Sequence, residues 1–163
     1  MELYWLRHGV AEEKGPGQKD ADRHLTQEGI LELRFVSKFL QKLEMELDFI
    51  FCSPLVRAVE TAEIAAKVFG LEKKVRIMDG LLPEDDWETL RHSLKEHLPF
   101  RRILLVGHQP SFGHMIGHLV YPHGNAQIPL KKAGTCRVDV EDLSRNPYGE
   151  LVWLLNPKIL KKW

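Results

Sequence analysis

The segment FIFCSPLVRAVETAEIAAKVFG, residues 49–70, holds the fold in miniature. Phe49 to Cys52 are uniformly apolar, which suits a strand buried on both faces, as in a parallel sheet. Ser53 and Pro54 then turn the chain, and proline fits a first helical turn because it has no N–H to leave unpaired. Leu55, Val59, Ala62, Ala66 and Phe69 follow at three- and four-residue steps, and the stripe stops at Gly70. The spacing predicts a helix ended by a glycine cap. Buried strand, tight turn and amphipathic helix make one repeating step of an α/β fold.

Working outward, the same step recurs. Leu3 to Leu6 form an apolar run, followed by a helical stripe of Ile30, Leu33, Val36, Leu40 and Leu43, with Thr26 as cap and Gln27 and Glu28 in the first turn. On the other side come a run at Val75 to Met78, a helix over Trp87 to Leu98, a run at Ile103 to Val106 and a helix over Pro110 to Val120. Cys136 with Val138 to Val140, and Leu151 to Leu155, break the alternation. Only the polar stretch Asp142 to Gly149 lies between them, too short for a helical crossover, so these strands are expected to pair antiparallel at one end of the sheet. The expected architecture is a three-layer α/β/α sandwich with a mixed, mostly parallel sheet, in one domain spanning 1–163. The polar segment Glu12 to His24, with two glycines and a proline, is expected to be its most mobile loop.

The totals limit the function. Lys plus Arg and Asp plus Glu number 23 each, so no bulk charge points to nucleic acid or an anionic membrane. Cys52 and Cys136 lie in apolar surroundings without CxxC spacing, which favours free buried thiols in a reducing, cytoplasmic setting. The N-terminus lacks a signal-peptide pattern and no apolar run approaches membrane-spanning length, so a soluble, unprocessed chain is expected.

In an open parallel sheet, ligands bind beyond the carboxyl ends of the strands. Three of these ends carry polar groups here: Leu6-Arg7-His8-Gly9, Cys52-Ser53-Pro54 with Arg57 one turn on, and Val106-Gly107-His108-Gln109-Pro110. Two guanidiniums and two imidazoles beside helix starts suit a dianionic phosphoryl group. An unprotonated imidazole can accept that group covalently, and His8 or His108 could attack. The other histidine and the arginines would stabilise charge in the transition state, with no metal or other cofactor required. Gly9 is expected to let the backbone approach the phosphate.

These residues resemble the histidine phosphatase superfamily, in its phosphoglycerate mutase-like branch, and within it the phosphohistidine phosphatase SixA group. Leu6-Arg7-His8-Gly9 with Ala11 is similar to the LRHGxA signature, and Arg23-His24-Leu25-Thr26 with Gly29 to an R-x-L-T-x-x-G segment. Ser53-Pro54-x-x-Arg57-Ala58-x-x-Thr61-Ala62 resembles SPxxRAxxTA, and Gly107-His108-Gln109-Pro110 a second GH motif. With Asn156-Pro157, they span nearly the whole chain. The resemblance implies that His8 is the nucleophile, Arg7 and Arg57 the phosphate clamp, and His108 the second imidazole on the transferring group.

Many relatives that cleave phosphate monoesters carry a glutamate after the third strand to protonate the leaving alkoxide. Here Leu81-Leu82-Pro83-Glu84-Asp85-Asp86 puts Pro83 at that place, like the SixA group's own pattern. Glu84, Asp85 and Asp86 remain candidate proton donors, though Asp86 also reads as the cap of the following helix. Lack of a firm acid favours phosphohistidine, because imidazole leaves more readily than an alkoxide. The expected substrate is therefore a phosphorylated protein of the histidine phosphotransfer domain type. A small phosphorylated molecule cleaved by a phosphomonoesterase is the alternative, and a non-catalytic phosphate-binding module is the alternative of another class.

Other features have plainer readings. Arg57 could instead form a surface ion pair with Glu60 or Glu63. His114 and His118 lie four apart but lack a third metal ligand at a recognisable spacing. Gly113 and Gly117 read as a close helix-to-sheet contact, and Lys158 to Trp163 as a solvated tail.

Overall fold

In a computed structural model of the chain, all residues except 98, 122, 124, 125, 144–146 and 163 are described. Six strands form one sheet: β1 Glu2–Arg7, β2 Phe49–Cys52, β3 Val75–Ile77, β4 Arg102–Gly107, β5 Thr135–Val140 and β6 Gly149–Leu155. Their order is β3-β2-β4-β1-β5-β6. The first four are mutually parallel, while β5 runs antiparallel to β1 and β6 antiparallel to β5. The mixed, mostly parallel sheet expected from the sequence is the one found.

The helices are α1 Gln27–Lys42, α2 Val56–Phe69, α3 Trp87–Lys95, α4 Ser111–Val120 and a short α5 Pro157–Leu160. Thr26 caps α1 by accepting from the Gly29 N–H, and α2 ends at Gly70 in the left-handed region, with φ 67°. That conformation is cheap only for a residue without Cβ. α3 ends earlier than its apolar spacing suggests, and Leu98, the last residue of that spacing, lies outside the described residues.

Alternation along each strand divides the core between the two faces. Leu3, Trp5, Phe51, Ile103 and Leu105 meet Trp87, Leu90 and Leu94 of α3 and Phe112, Met115 and Ile116 of α4. Tyr4, Leu6, Ile50, Leu104 and Val106 meet Leu33, Val36 and Leu40 of α1 and the alanines of α2. Trp5 and Phe112 pack edge to face at 5.0 Å. Each such buried side chain stabilises the fold by roughly 1.5–3 kcal/mol, and the two layers cover the middle strands on both faces.

Several local expectations need revision. Gly113 and Gly117 face an extended backbone stretch, not the sheet: a Cβ on Gly117 would lie 1.9 Å from the Ala126 carbonyl oxygen, and the Ile128 N–H donates to the Gly113 carbonyl at 3.0 Å. The C-terminal segment is not a free tail. Asn156 caps α5, Pro157 and Leu160 are buried, and the Lys161 ammonium pairs with Glu32 of α1 at 2.7 Å; Trp163 lies outside the described residues. The loop Glu12 to His24 is fastened at its base by the bridge of Ala11 with Leu25 and by the Glu12 N–H donating to the His24 carbonyl at 2.9 Å.

Candidate active site

Strands β1, β4 and β2 are neighbours, and their register places Arg7 beside Gly107 and Cys52 beside Val106. The ladder continues one rung past the strands, with the His8 N–H donating to the Gly107 carbonyl and the Ser53 N–H to the Val106 carbonyl, both at 3.0 Å. Sheet hydrogen bonding therefore fixes His8, Ser53 and His108 side by side. Arg57 joins them because the short turn after Ser53 starts α2, which carries Arg57 in its first turn.

The His8 and His108 ring centroids lie 5.0 Å apart, and both residues are buried. His8 Nδ1 is 2.7 Å from the Gly9 carbonyl oxygen. A carbonyl can only accept, so Nδ1 carries the proton and Nε2 keeps its lone pair. His108 Nε2 lies 2.8 Å from the Ser53 hydroxyl, itself fully buried. Arg7 donates from Nη1 to the Leu130 carbonyl at 2.8 Å. Arg57 donates from Nη1 to the Asp20 carbonyl at 2.7 Å and from Nη2 to the Asp20 carboxylate at 2.9 Å. The expected alternative partners of Arg57, Glu60 and Glu63, are thus replaced by Asp20 from the long loop, while Glu60 accepts from the Leu25 N–H and pairs with His24.

Gly9 serves packing more than phosphate approach. A Cβ there would lie 2.6 Å from Leu33 Cδ1, and its N–H is spent on the Thr61 hydroxyl at 3.3 Å. Thr61 in turn donates to the Arg57 carbonyl at 2.7 Å. One buried hydroxyl therefore couples the turn after His8 to the helix bearing Arg57.

Electrostatics follow from burial among cations. Desolvation lowers His8 to about 3, and the charges of Arg57, Arg7 and Lys132 add to it despite the hydrogen bond to the Gly9 carbonyl. Desolvation, then His8 and Arg57, lowers His108 to about 3. Both rings are neutral at neutral pH, so His8 Nε2 keeps an unprotonated lone pair. The buried Nε atoms of Arg7 and Arg57 and Nδ1 of His108 have no hydrogen-bond partner among the described residues. The positive charge of Arg7 and Arg57 acts on both imidazoles, a setting that suits an oxyanion.

These shifts predict a titration pattern. In nuclear magnetic resonance spectra, the rings of His8 and His108 should stay neutral from pH 8 down to 5. His24, which the Glu60 hydrogen bond raises, should titrate above its ordinary value. Because the unfolded chain binds protons on these rings below about pH 6.5 and the folded one does not, stability should fall as pH drops below that point. A midpoint near 6.5 for either buried ring would contradict the assigned burial.

The candidate proton donors sit differently. Asp85 accepts from the Leu82 N–H at 2.7 Å, and Asp86 caps α3 by accepting from the Thr89 N–H at 3.0 Å. Glu84, Asp85 and Asp86 line a recess of 450 Å³ with Trp87, His114 and His118, and Arg7, His8, Arg57 and His108 are not among its lining residues. Among the described residues, no three His, Cys, Asp or Glu side chains are grouped to hold a metal ion.

A sequence profile described as the histidine phosphatase superfamily (branch 1) matches residues 3–99. The chain belongs to that superfamily. This histidine phosphatase is 34% identical to an uncharacterized protein of Picosynechococcus over 98% of its own length and 99% of the relative's. It is 30% identical to the phosphohistidine phosphatase SixA homolog of Haemophilus influenzae, covering 73% of this chain and 77% of that one. In fold it superposes on a protein histidine phosphatase SixA complexed with tungstate with a TM-score of 0.86 at 23% identity, over 98% and 99% of the two chains. A putative α-ribazole-5′-phosphate phosphatase of Escherichia coli superposes at 0.69 and 18% identity, covering 96% of each chain. Within the superfamily, the chain groups with SixA by sequence and by fold.

Sequence reading missed two charged residues that act on this cluster, Asp20 on Arg57 and Lys132 on His8. Asp20 lies in the polar loop, where no periodicity marks it, and Lys132 follows another lysine on a turn. The only signal for the latter was the turn pattern Lys131-Lys132-Ala133-Gly134 itself.

Proposed function

We propose that the protein is a cytoplasmic, metal-independent phosphohistidine phosphatase, a single catalytic domain over residues 1–163 acting on a phosphorylated protein of the histidine phosphotransfer type. Arg7 and Arg57 hold the phosphoryl oxygens, and His8 Nε2 attacks phosphorus in line with the substrate's N–P bond. That bond's electron pair stays on the substrate ring, which departs as neutral imidazole once solvent has protonated its other nitrogen. Water then attacks the phosphorylated His8, releasing inorganic phosphate and restoring the neutral ring. His108 and the two guanidiniums stabilise the equatorial oxygens through both steps.

The observation that carries this reading is the fate of the carboxylates. An alkoxide leaving group needs a positioned acid, but Asp85 accepts from the Leu82 N–H, Asp86 caps α3, and both line with Glu84 a recess that lacks Arg7, His8, Arg57 and His108 among its lining residues. Asp20 is the carboxylate that reaches the clamp. Burial works to raise it, but the hydrogen bond and charge of Arg57, together with Arg23, outweigh that and hold it ionised. Imidazole leaves without such an acid. The sequence relatives named phosphohistidine phosphatase SixA support the same substrate class.

A direct comparison tests the substrate. The kcat/KM for a phosphohistidine-bearing phosphotransfer domain should exceed that for alkyl phosphates by at least about 100-fold, the usual worth of a missing general acid. Faster hydrolysis of alkyl phosphates would make the protein a small-molecule phosphomonoesterase.

A further inference from the structure

The turn Leu130 to Gly134 is built onto the two residues that end β1. The Leu130 carbonyl accepts from Arg7 Nη1, the Ala133 N–H donates to the His8 carbonyl at 3.2 Å, and the Arg7 N–H donates to the Gly134 carbonyl at 3.0 Å. The turn closes on itself through the Gly134 N–H and the Lys131 carbonyl at 2.7 Å. Ala133 is fully buried with φ 53°, a conformation that favours glycine or asparagine at that place in a turn. A non-glycine residue held there is strained, and such strain persists where surrounding contacts dictate it. The strained turn presents Lys132.

Lys132 is half-buried, and its side chain makes no hydrogen bond or ion pair with the described residues. Burial and the charges of Arg7, Arg23 and Arg57 work against its ammonium, and it acts in turn on His8. An unneutralised ammonium beside two guanidiniums is unfavourable unless an anion joins them. Asp20 answers Arg57 and Arg23 through its carboxylate, leaving Lys132 and Arg7 without a carboxylate of their own among the described residues.

We propose that Lys132 is a further catalytic residue, a third cation whose ammonium contacts a non-bridging oxygen of the transferring phosphoryl group. It rests on the phosphatase reading above and extends it to a residue outside the four signature segments. Arg7 and Arg57 are each tied to a backbone carbonyl and act as fixed forks, whereas the lysine has three free donors on a flexible stem. Its contribution is therefore charge placed as phosphoryl oxygens gain it.

The test uses tungstate as a tetrahedral oxyanion probe, with binding measured by calorimetry and turnover measured on a phosphohistidine protein. Lys132→Gln should weaken tungstate binding about tenfold and lower kcat/KM by roughly 10–100-fold. Lys132→Arg should recover most of the loss, and Lys131→Gln, altering the exposed neighbour, should match wild type. Unchanged thermal midpoints separate this from unfolding. If wild type binds tungstate and turns over while Lys132→Gln equals it within twofold, the lysine has no such role. If wild type does neither, it is the phosphatase reading that fails.

Discussion

A His8→Ala variant should lose phosphatase turnover by at least about 10³-fold while remaining folded and still binding tungstate. Among the described residues the ring makes one hydrogen bond, to the Gly9 carbonyl, and its position is set by backbone bonds that alanine keeps. What disappears is the lone pair on Nε2, and removing a covalent nucleophile costs more than removing any single stabilising contact. Residual turnover should come from the clamp, which can still hold phosphate near water. Steady-state rates on a phosphohistidine protein, beside a tungstate titration of the same variant, separate lost chemistry from lost binding. Turnover within tenfold of wild type would move the nucleophile elsewhere, with His108 the first candidate.

Arg57→Ala should reduce kcat/KM by about 10²–10³-fold, the range found for losing one preorganised donor to a developing oxyanion. Arg57→Lys should recover little of it, because a lysine cannot reproduce the planar fork that meets two oxygens at once. The same fork holds the Asp20 carbonyl and carboxylate, so the variant also releases the long loop from α2. That loop should become more susceptible to proteolysis between Glu12 and His24 in Arg57→Ala, with wild type protected. Equal catalytic loss without loop release would separate the two duties of the guanidinium; catalysis within threefold of wild type would remove Arg57 from the clamp.

Much of this was readable from residue order alone. Buried runs such as Phe49–Cys52 lacked polar alternation, which signals a strand covered on both faces, and Gly70 and Thr26 marked helix ends by their own conformational chemistry. Arg7, His8, Arg57 and His108 were legible because strand ends in a parallel sheet are a known meeting place. Other features depended on contacts far apart in sequence. Gly9 looked like a residue for ligand approach, but the atom it makes room for is Leu33 Cδ1 on α1. Gly113 and Gly117 looked ready for a sheet, and instead make room for the Gln109 side chain and the Ala126 backbone. Asp20 sits in a loop whose composition suggested mobility, and its pairings with Arg57 and Arg23 give it a place. Such partners leave no periodic trace, so only the folded chain reveals them.

The account rests on a phosphoryl group passing through His8 Nε2, and trapping it is the most direct measurement. Wild type mixed with a phosphohistidine-bearing protein labelled with ³²P, quenched in alkali to preserve N–P bonds, should carry label on one peptide, the one containing His8. The bond should be to Nε2, since Nδ1 is committed to the Gly9 carbonyl. His8→Ala should carry none. Turnover in wild type without label, or equal label in His8→Ala, would contradict the covalent mechanism; no turnover and no label, with tungstate still bound, would instead describe a phosphate-binding module.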